Sequence, residues 1–310
     1  MSIFLSTLNQ TIFLFAFIAI GYLLSKLRQI PENSSTVLSK LENTIFIPAL
    51  VLGTFIENFT IEKISSMWKL LLASCVIMII VVPVVILISK CLSKDKYIRN
   101  IYTYGLSFSN FGFMGNAVVN ALFPEIFFEY LIFTLPLWTL IYLWGVPGLL
   151  IADSGKKQSL SEKLRNFANP MFVAMLIGMI IGLTKISLPG WLTSAVDVSG
   201  SCMSPIAMLL TGITVSRISL KKTFTDIGIY AVTIIRLIVL PLAFVGIAYF
   251  IPMERTIYIC ALCSLAMPLG LNTIVIPSAY GKDTSVPAGM AVVSHLLSCI
   301  TIPLIFMIMG

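Results

Sequence analysis

Ten runs of apolar residues, each about as long as a membrane-spanning helix, dominate this sequence. They cover approximately residues 4–24, 36–56, 68–89, 101–122, 130–152, 168–184, 191–215, 227–250, 256–280 and 287–308. A helix needs roughly 20 apolar residues to cross about 30 Å of hydrocarbon. Charged residues make up 11% of the chain and the mean hydropathy is +1.01, whereas soluble domains carry about 25% charged residues. The sequence therefore predicts an all-α polytopic membrane protein embedded in a lipid bilayer.

Polar and glycine-rich segments interrupt two of these runs, the fourth at Phe108 to Asn116 and the ninth at Ala266 to Asn272. A backbone that loses helical hydrogen bonds in hydrocarbon is tolerated only where it packs inside protein or lines a wet cavity. We therefore expect broken helices in both runs. Two broken helices at corresponding positions of two halves are typical of a transporter's binding site.

The second half of the chain repeats the first. At one constant offset, Pro31 aligns with Pro189, Pro83 with Pro241 and Gly112 with Gly270, and Pro48 aligns with Pro205 one residue short of it. Each repeat holds five apolar runs, so the second must enter the membrane in the opposite sense to the first. The pattern predicts ten transmembrane helices in two inverted five-helix repeats, residues 1–152 and 168–310, joined by a cytoplasmic linker at 153–167.

Basic residues give the orientation. Fourteen Lys and Arg lie in odd-numbered loops and four in even-numbered loops, and cytoplasmic loops are the ones rich in Lys and Arg. We expect a multi-pass protein of the plasma (inner) membrane with both termini outside and the central loop cytoplasmic. This scatter explains the net charge of +7 without a nucleic-acid partner.

The breaks are the predicted substrate site. Half-helices that meet in the membrane direct their N-terminal dipole ends and free amides at an anion. The predicted substrate-binding residues are Asn110, Gly112, Gly115, Asn116, Gly270 and Asn272, with Pro268 at the crossover and kinks at Pro48 and Pro205. The alternative is that each Asn only satisfies the opened backbone. No aromatic cage accompanies the breaks, which favours a small organic anion over a large apolar drug.

Ionisable residues at membrane depth are functional candidates by default. Lys40, Glu42, Asp197 and His295 are candidates for coupling or gating, with a proton or sodium as the ion. Lys40 and Asp197 occupy equivalent places in the two repeats. The alternatives are a structural ion pair or interfacial position for Asp197, snorkelling to headgroups for Lys40 and Arg236, and a packed, hydrogen-bonded side chain for His295.

Several motifs of enzymes are missing from the sequence. It contains no phosphate-binding Gly-x4-Gly-Lys-Ser/Thr loop, no His-Glu-x2-His helix and no Gly-x-Ser-x-Gly elbow. Cys260-Ala-Leu-Cys263 has no second cysteine pair and predicts buried, inert thiols. Gly178-Met-Ile-Ile-Gly182 predicts close helix packing inside the protein. We expect no enzymatic activity, no cofactor and no metal site.

Four segments resemble the auxin efflux carrier family, which includes the plant PIN-FORMED proteins and bacterial members. They are Leu41-Glu-Asn-Thr-Ile-Phe-Ile-Pro-Ala-Leu50, Ser109 to Asn116, Ala266-Met-Pro through Asp283, and Ser294 to Pro303. The resemblance implies a fold like that of sodium/proton antiporters and bile-acid transporters. In that fold helices 1, 2, 6 and 7 form a scaffold, and helices 3–5 and 8–10 form a transport domain in which broken helices 4 and 9 cross. It also implies an elevator-like movement and a homodimer.

The predicted function is secondary active or facilitative transport of small organic anions around the crossing of runs four and nine. The resemblance implies carboxylates such as malate and malonate in bacterial relatives, and indole-3-acetate in plants. In the family's usual pattern a proline marks the crossover, whereas run four has Asn110, Gly112 and Gly115. The alternatives are a sodium-coupled organic-anion symporter of the bile-acid type and a non-transporting membrane sensor with the same fold.

Overall fold

The computed structural model describes residues 3–152, 169–217 and 226–307, and these ranges are almost entirely helical. The helices are α1 (Ile3–Lys26), α2 (Ser34–Asn58), α3 (Ile61–Leu92), α4 (Lys96–Ser107), α5 (Phe111–Leu122), α6 (Pro124–Leu150), α7 (Pro170–Thr184), α8 (Gly190–Ser216), α9 (Ile227–Phe250), α10 (Arg255–Ala266), α11 (Asn272–Ala279) and α12 (Ser285–Met307). No β-strand occurs in the described ranges. The predicted all-α class is confirmed, and the predicted linker at 153–167 lies outside the described residues.

Six helices are long and apolar enough to cross a membrane: α2, α6, α8, α9, α12 and, from Met67 onward, α3. Shorter apolar helices include α5, α7, α10 and the part of α1 from Ile12. Large apolar side chains cover the outside of the bundle; Ile79 and Leu87 of α3, for example, expose 72% and 61% of their surface. Such a surface suits hydrocarbon rather than water, so the prediction of a polytopic membrane protein is confirmed.

Both predicted interruptions are present. The fourth run consists of α4 and α5, separated by residues 108–110, and the ninth consists of α10 and α11, separated by residues 267–271. The helix α5 starts with a π-helical turn at Phe111–Gly115. Polar main-chain groups are therefore freed at two places inside the bundle.

The prolines expected to kink α2 and α8 lie beside irregular turns. A π-helical turn, Glu42–Phe46, ends just before the buried Pro48. In α8 a turn at Cys202 separates Gly190–Ser201 from Met203–Ser216, which carries Pro205 near its start. A proline cannot donate the helical main-chain hydrogen bond, and a widened or interrupted turn is a common adjustment beside it.

One group of helices, α1, α2, α7 and α8, packs through small residues. The helix α1 packs along α8, and α2 packs against both α7 and α8. Gly178 and Gly182 of α7 lie against the backbone of α2; a Cβ added at Gly182 would be 2.8 Å from the Phe55 carbonyl oxygen and 2.9 Å from that of Phe59. The predicted internal packing role of the Gly178 and Gly182 pair is confirmed.

The remaining helices surround the two breaks. The helix α3 packs against α4 and α6, α9 packs against α10 and α12, and α10 also packs against α6. Large side chains fill the space between them, including Tyr104, Phe108, Phe111, Tyr130 and Phe133, all at most 2% exposed. Buried apolar packing therefore encloses the polar breaks.

We predict that Gly182→Ala destabilises the protein, because the new methyl group would press on carbonyl oxygens of α2 that cannot move aside. Overpacking of this kind costs about 1–3 kcal/mol. The matched control is Gly246→Ala in α9, where an added Cβ meets nothing within 4 Å. The apparent melting temperature of the purified protein in detergent should fall for Gly182→Ala and should hold or rise for Gly246→Ala. Equal melting temperatures for the two variants would contradict the assigned packing of α7 on α2.

Candidate functional site

The main chain joins the two breaks directly. The Asn110 N–H donates a hydrogen bond of 2.7 Å to the carbonyl oxygen of Pro268, and Ser109 and Leu269 form an isolated antiparallel bridge. The buried Ser109 hydroxyl donates to the Ser264 carbonyl oxygen at 2.7 Å. The two irregular segments thus satisfy part of each other's freed hydrogen-bonding capacity, as membrane burial requires.

Glycines permit this close approach. A Cβ added at Gly270 would lie 3.3 Å from the carbonyl oxygens of both Phe108 and Ser109, tighter than most real contacts. At Gly112 the same addition would meet the ring of Trp138, and at Gly115 it would collide with the hydroxyl of Tyr130. The three predicted glycines therefore lie where main chain or an aromatic side chain comes closest.

A buried arginine binds the C-terminal ends of both helices that precede the breaks, α4 and α10. Arg236 lies in α9 and is 1% exposed. Its guanidinium donates three hydrogen bonds to carbonyl oxygens, from Nη1 to Leu106 at 2.8 Å, from Nη2 to Ser264 at 2.7 Å and from Nε to Met267 at 3.2 Å. Leu106 is at the C-terminal end of α4, and Ser264 and Met267 are at that of α10. The positive charge thus lies at two negative dipole ends.

The sequence leaves two roles open for Arg236, snorkelling to a headgroup or serving a site. The snorkelling prediction is wrong, because the side chain is buried in the bundle and donates hydrogen bonds to main-chain carbonyl oxygens. Sequence could have indicated this role through one feature, a lone arginine in the middle of the apolar run 227–250. A position so far from both ends of a run is costly for a cation without internal partners.

A cavity of about 20 Å³ lies beside this guanidinium, lined in part by Ser74, Ser107 and Arg236. In the described part of the chain the hydroxyl oxygens of Ser74 and Ser107 have no hydrogen-bond partner. A polar space of this size fits one water molecule.

A second cavity, also of about 20 Å³, lies at the opposite side of the crossing. Its polar and main-chain lining comes from the starts of α5 and α11 and the breaks before them, namely Ser109, Asn110, Gly112, Gly270 and Asn272. The Asn272 amide Nδ2 donates to the hydroxyl oxygen of Tyr104 at 3.2 Å. The N-terminal, positive dipole ends of two half-helices thus converge on one small polar space.

Aromatic side chains form the other walls of this second cavity: Tyr104, Phe111, Phe113 and Trp138. The rings of Phe111 and Trp138 meet edge to face, with their centroids 5.0 Å apart. The expectation that no aromatic cage accompanies the breaks is wrong, because Tyr104 and Trp138 come from α4 and α6, outside the interrupted segments. Space for a single water molecule also means that a larger ligand enters only if these walls move apart.

His295 of α12 contacts the site through Asn110. Its ring nitrogen Nε2 lies 3.1 Å from the Asn110 amide nitrogen, and its Nδ1 lies 2.7 Å from the Ala291 carbonyl oxygen. Both His295 and Asn110 are 2% exposed. His295 is therefore a packed, hydrogen-bonded histidine, and its role in coupling or gating stays a prediction.

The structure separates other predicted residues from the second cavity. Asn116 is buried in α5 but does not line the cavity, and neither does Gly115. Lys40 and Asp197 are exposed residues of α2 and α8. Glu42 is fully buried in α2, and in the described chain neither of its carboxyl oxygens has a hydrogen-bond partner.

Comparison with known proteins agrees with this architecture. No curated protein matches the chain significantly. The profile of a family described as "Membrane transport protein" matches residues 6–306, which is nearly the whole chain and includes both breaks, Arg236 and His295. This chain therefore belongs to that family of membrane transport proteins, the auxin efflux carrier family with its PIN-like members.

Proposed function

We propose that this membrane transporter carries small organic anions, by secondary active or facilitative transport, through alternating access around the crossing of its fourth and ninth runs. One observation carries the proposal. The starts of α5 and α11 converge on one cavity with two side-chain amides, while Arg236 binds the opposite, C-terminal ends of α4 and α10. Arg236 already neutralises the negative, C-terminal ends of α4 and α10. The positive, N-terminal ends of α5 and α11 remain available to a ligand, and they favour an anion.

In this proposal Asn110 and Asn272 bind the carboxylate together with main-chain groups at Gly112 and Gly270. All four residues line the cavity. Gly115 and Asn116 do not line the cavity; Gly115 leaves room for the hydroxyl of Tyr130. Pro268 contributes the carbonyl oxygen that joins the breaks.

The helix packing supports an elevator-type movement of inverted repeats. If α1 and α2 correspond to α7 and α8, then the packed pair of α1 and α8 corresponds to the packed pair of α7 and α2, and both pairs are present. We propose α1, α2, α7 and α8 as the scaffold and the other helices as the transport domain. The repeats would be residues 1–152 and 168–310. The protein would lie in the plasma membrane with both termini outside and residues 153–167 cytoplasmic.

Sodium coupling of the bile-acid type is the weaker alternative. A sodium ion at a helix crossing would use carbonyl oxygens, and Arg236 already occupies three of those at the ends of α4 and α10. Anion efflux also needs no coupling ion, since a negative-inside potential contributes about 2.3 kcal/mol per charge per 100 mV.

We predict counterflow of labelled malate, malonate or indole-3-acetate in proteoliposomes, and its loss in the double variant Asn110→Ala, Asn272→Ala. The substitutions remove both side-chain amides from the cavity. A loss of about 3 kcal/mol of binding, two hydrogen bonds to a charged group, would lower uptake by roughly a hundredfold. The matched control is Asn43→Ala, because among the described residues the Asn43 amide donates to Ser39 of its own helix, away from the cavity.

Two results would contradict the proposal in different ways. Binding of an acid without counterflow would favour the membrane sensor. Counterflow that survives the double substitution would place the substrate site elsewhere in the transporter.

We also predict that Arg236→Met abolishes transport and lowers the apparent melting temperature, while Arg236→Lys keeps only part of both. Methionine would remove the guanidinium donor from the carbonyl oxygens of Leu106 and Met267, at about 1–3 kcal/mol each, while the Ser264 oxygen would keep only its bond from Ser109. Lysine lacks the planar fork that reaches both helices. Arg255→Gln, at an exposed position at the start of α10, is the control.

Replacement of sodium by choline on both sides of the membrane should leave the counterflow of the intact protein unchanged. Counterflow that requires sodium would instead support the bile-acid-type alternative.

A further inference from the structure

The hydrogen bonds of His295 define its tautomer. The Ala291 carbonyl oxygen can only accept, so Nδ1, 2.7 Å away, carries the hydrogen. The other ring nitrogen, Nε2, faces the Asn110 amide nitrogen at 3.1 Å, and an amide nitrogen can only donate. Nε2 is therefore an acceptor, and the imidazole in this state is neutral.

This arrangement also orients the amide of Asn110. Its NH2 group lies against His295, so this group is engaged by the ring nitrogen Nε2. Asn110 lines the cavity at the starts of α5 and α11. With its NH2 group held by the ring, Asn110 cannot use that donor for a carboxylate in the cavity, which is unfavourable for an anion.

We propose that His295 is a proton-binding site coupled to the anion cavity, and that one proton accompanies each carboxylate. The inference rests on the proposed function and adds the coupling ion to it. When a proton from the aqueous phase adds to Nε2, both ring nitrogens become donors, and the NH2 group of Asn110 can no longer face the ring. The amide turns over, its oxygen accepts from Nε2–H, and its NH2 group enters the cavity.

Binding of the proton then favours binding of the anion. The turned amide gives the carboxylate a donor in place of an acceptor, and the imidazolium supplies a positive charge behind it. By thermodynamic reciprocity, a carboxylate in the cavity favours the protonated ring to the same extent. The two leave together, and the proton returns to water on the other side of the membrane.

Few other groups can influence this ring. The helices that pack against α12 are α1, α8, α9, α10 and α11. Among their described residues, the buried side chains that are charged or titratable are Arg236, Cys260 and Cys263. The guanidinium is held by carbonyl oxygens at the opposite side of the crossing, and Tyr104, which lines the cavity, is bonded to Asn272. No carboxylate of these helices is buried, so the anion itself is the negative partner for the imidazolium.

The test uses the fact that His295 is the only histidine in the chain. The full-length protein, purified with a tag free of histidine and labelled with ¹⁵N-histidine, is reconstituted in liposomes for solid-state NMR. Spectra are recorded at neutral pH with and without saturating malate, malonate or indole-3-acetate. Without acid we expect one neutral imidazole with hydrogen on Nδ1. With an acid that shows counterflow, both nitrogens should become protonated.

Transport gives a second readout. In the intact protein the apparent affinity for the transported acid should rise by up to about tenfold per unit fall in pH, as coupling to one proton allows. His295→Gln offers an uncharged acceptor to Asn110 at every pH. The affinity of this variant for the transported acid should therefore change with pH only through the ionisation of the acid itself. Met290→Leu, a buried substitution in the same helix, is the control and should keep the steep dependence.

The outcomes distinguish failure of the proton coupling from failure of the proposed function. An acid that shows counterflow while His295 stays neutral overturns the coupling and leaves the transporter intact. The same holds if His295→Gln keeps the pH dependence of the intact protein. Absence of counterflow for all three acids removes the proposed function and this inference with it. Should His295→Gln fail to fold, the NMR measurement on the intact protein decides alone.

Discussion

The guanidinium of Arg236 is the interaction on which the crossing depends. Two helices that end inside hydrocarbon leave carbonyl oxygens and two negative dipole ends with no water to solvate them. One planar, permanently charged group with donors on three nitrogens reaches both ends at once. It stabilises the broken helices, and they in turn stabilise a buried charge. Removal of either side would leave the other unpaired.

This pairing makes the two sides of the crossing electrostatically unequal. At the C-terminal ends the carbonyl oxygens bind the guanidinium of α9, whereas the described lining at the N-terminal ends includes two amides, main chain, aromatic rings and aliphatic side chains. The N-terminal side therefore offers the more favourable dipole ends to an anion. Aromatic rings form part of the lining there. Glu42 is buried in the other helix group, where neither carboxyl oxygen has a hydrogen-bond partner among the described residues.

The sequence was sufficient for the class of fold and for the position of the breaks, because apolar length and glycine content are local properties. The sequence places Asn110, Gly112, Gly270 and Asn272 in the breaks, and all four line one cavity there, while their substrate-binding role stays a prediction. It could not distinguish Gly115 and Asn116, which lie on the same short helix but away from the cavity, because orientation around a π-helical turn depends on tertiary packing. It left the role of Arg236 open, although a lone arginine in the middle of an apolar run is a signal. It missed Trp138 and Tyr104 as cavity walls, because they come from other helices and their distance along the chain leaves no pattern.

The hydrogen bond between Asn110 and Pro268 and the neighbouring bridge between Ser109 and Leu269 join the two breaks into one structural unit. Insertion or deletion of a residue in either segment would shift the main-chain donors out of register with their acceptors. It would also displace Leu106 or Ser264 from the guanidinium of Arg236. The two segments should therefore tolerate an exchange of side chains more readily than a change of length, because the register of the main chain is shared between them.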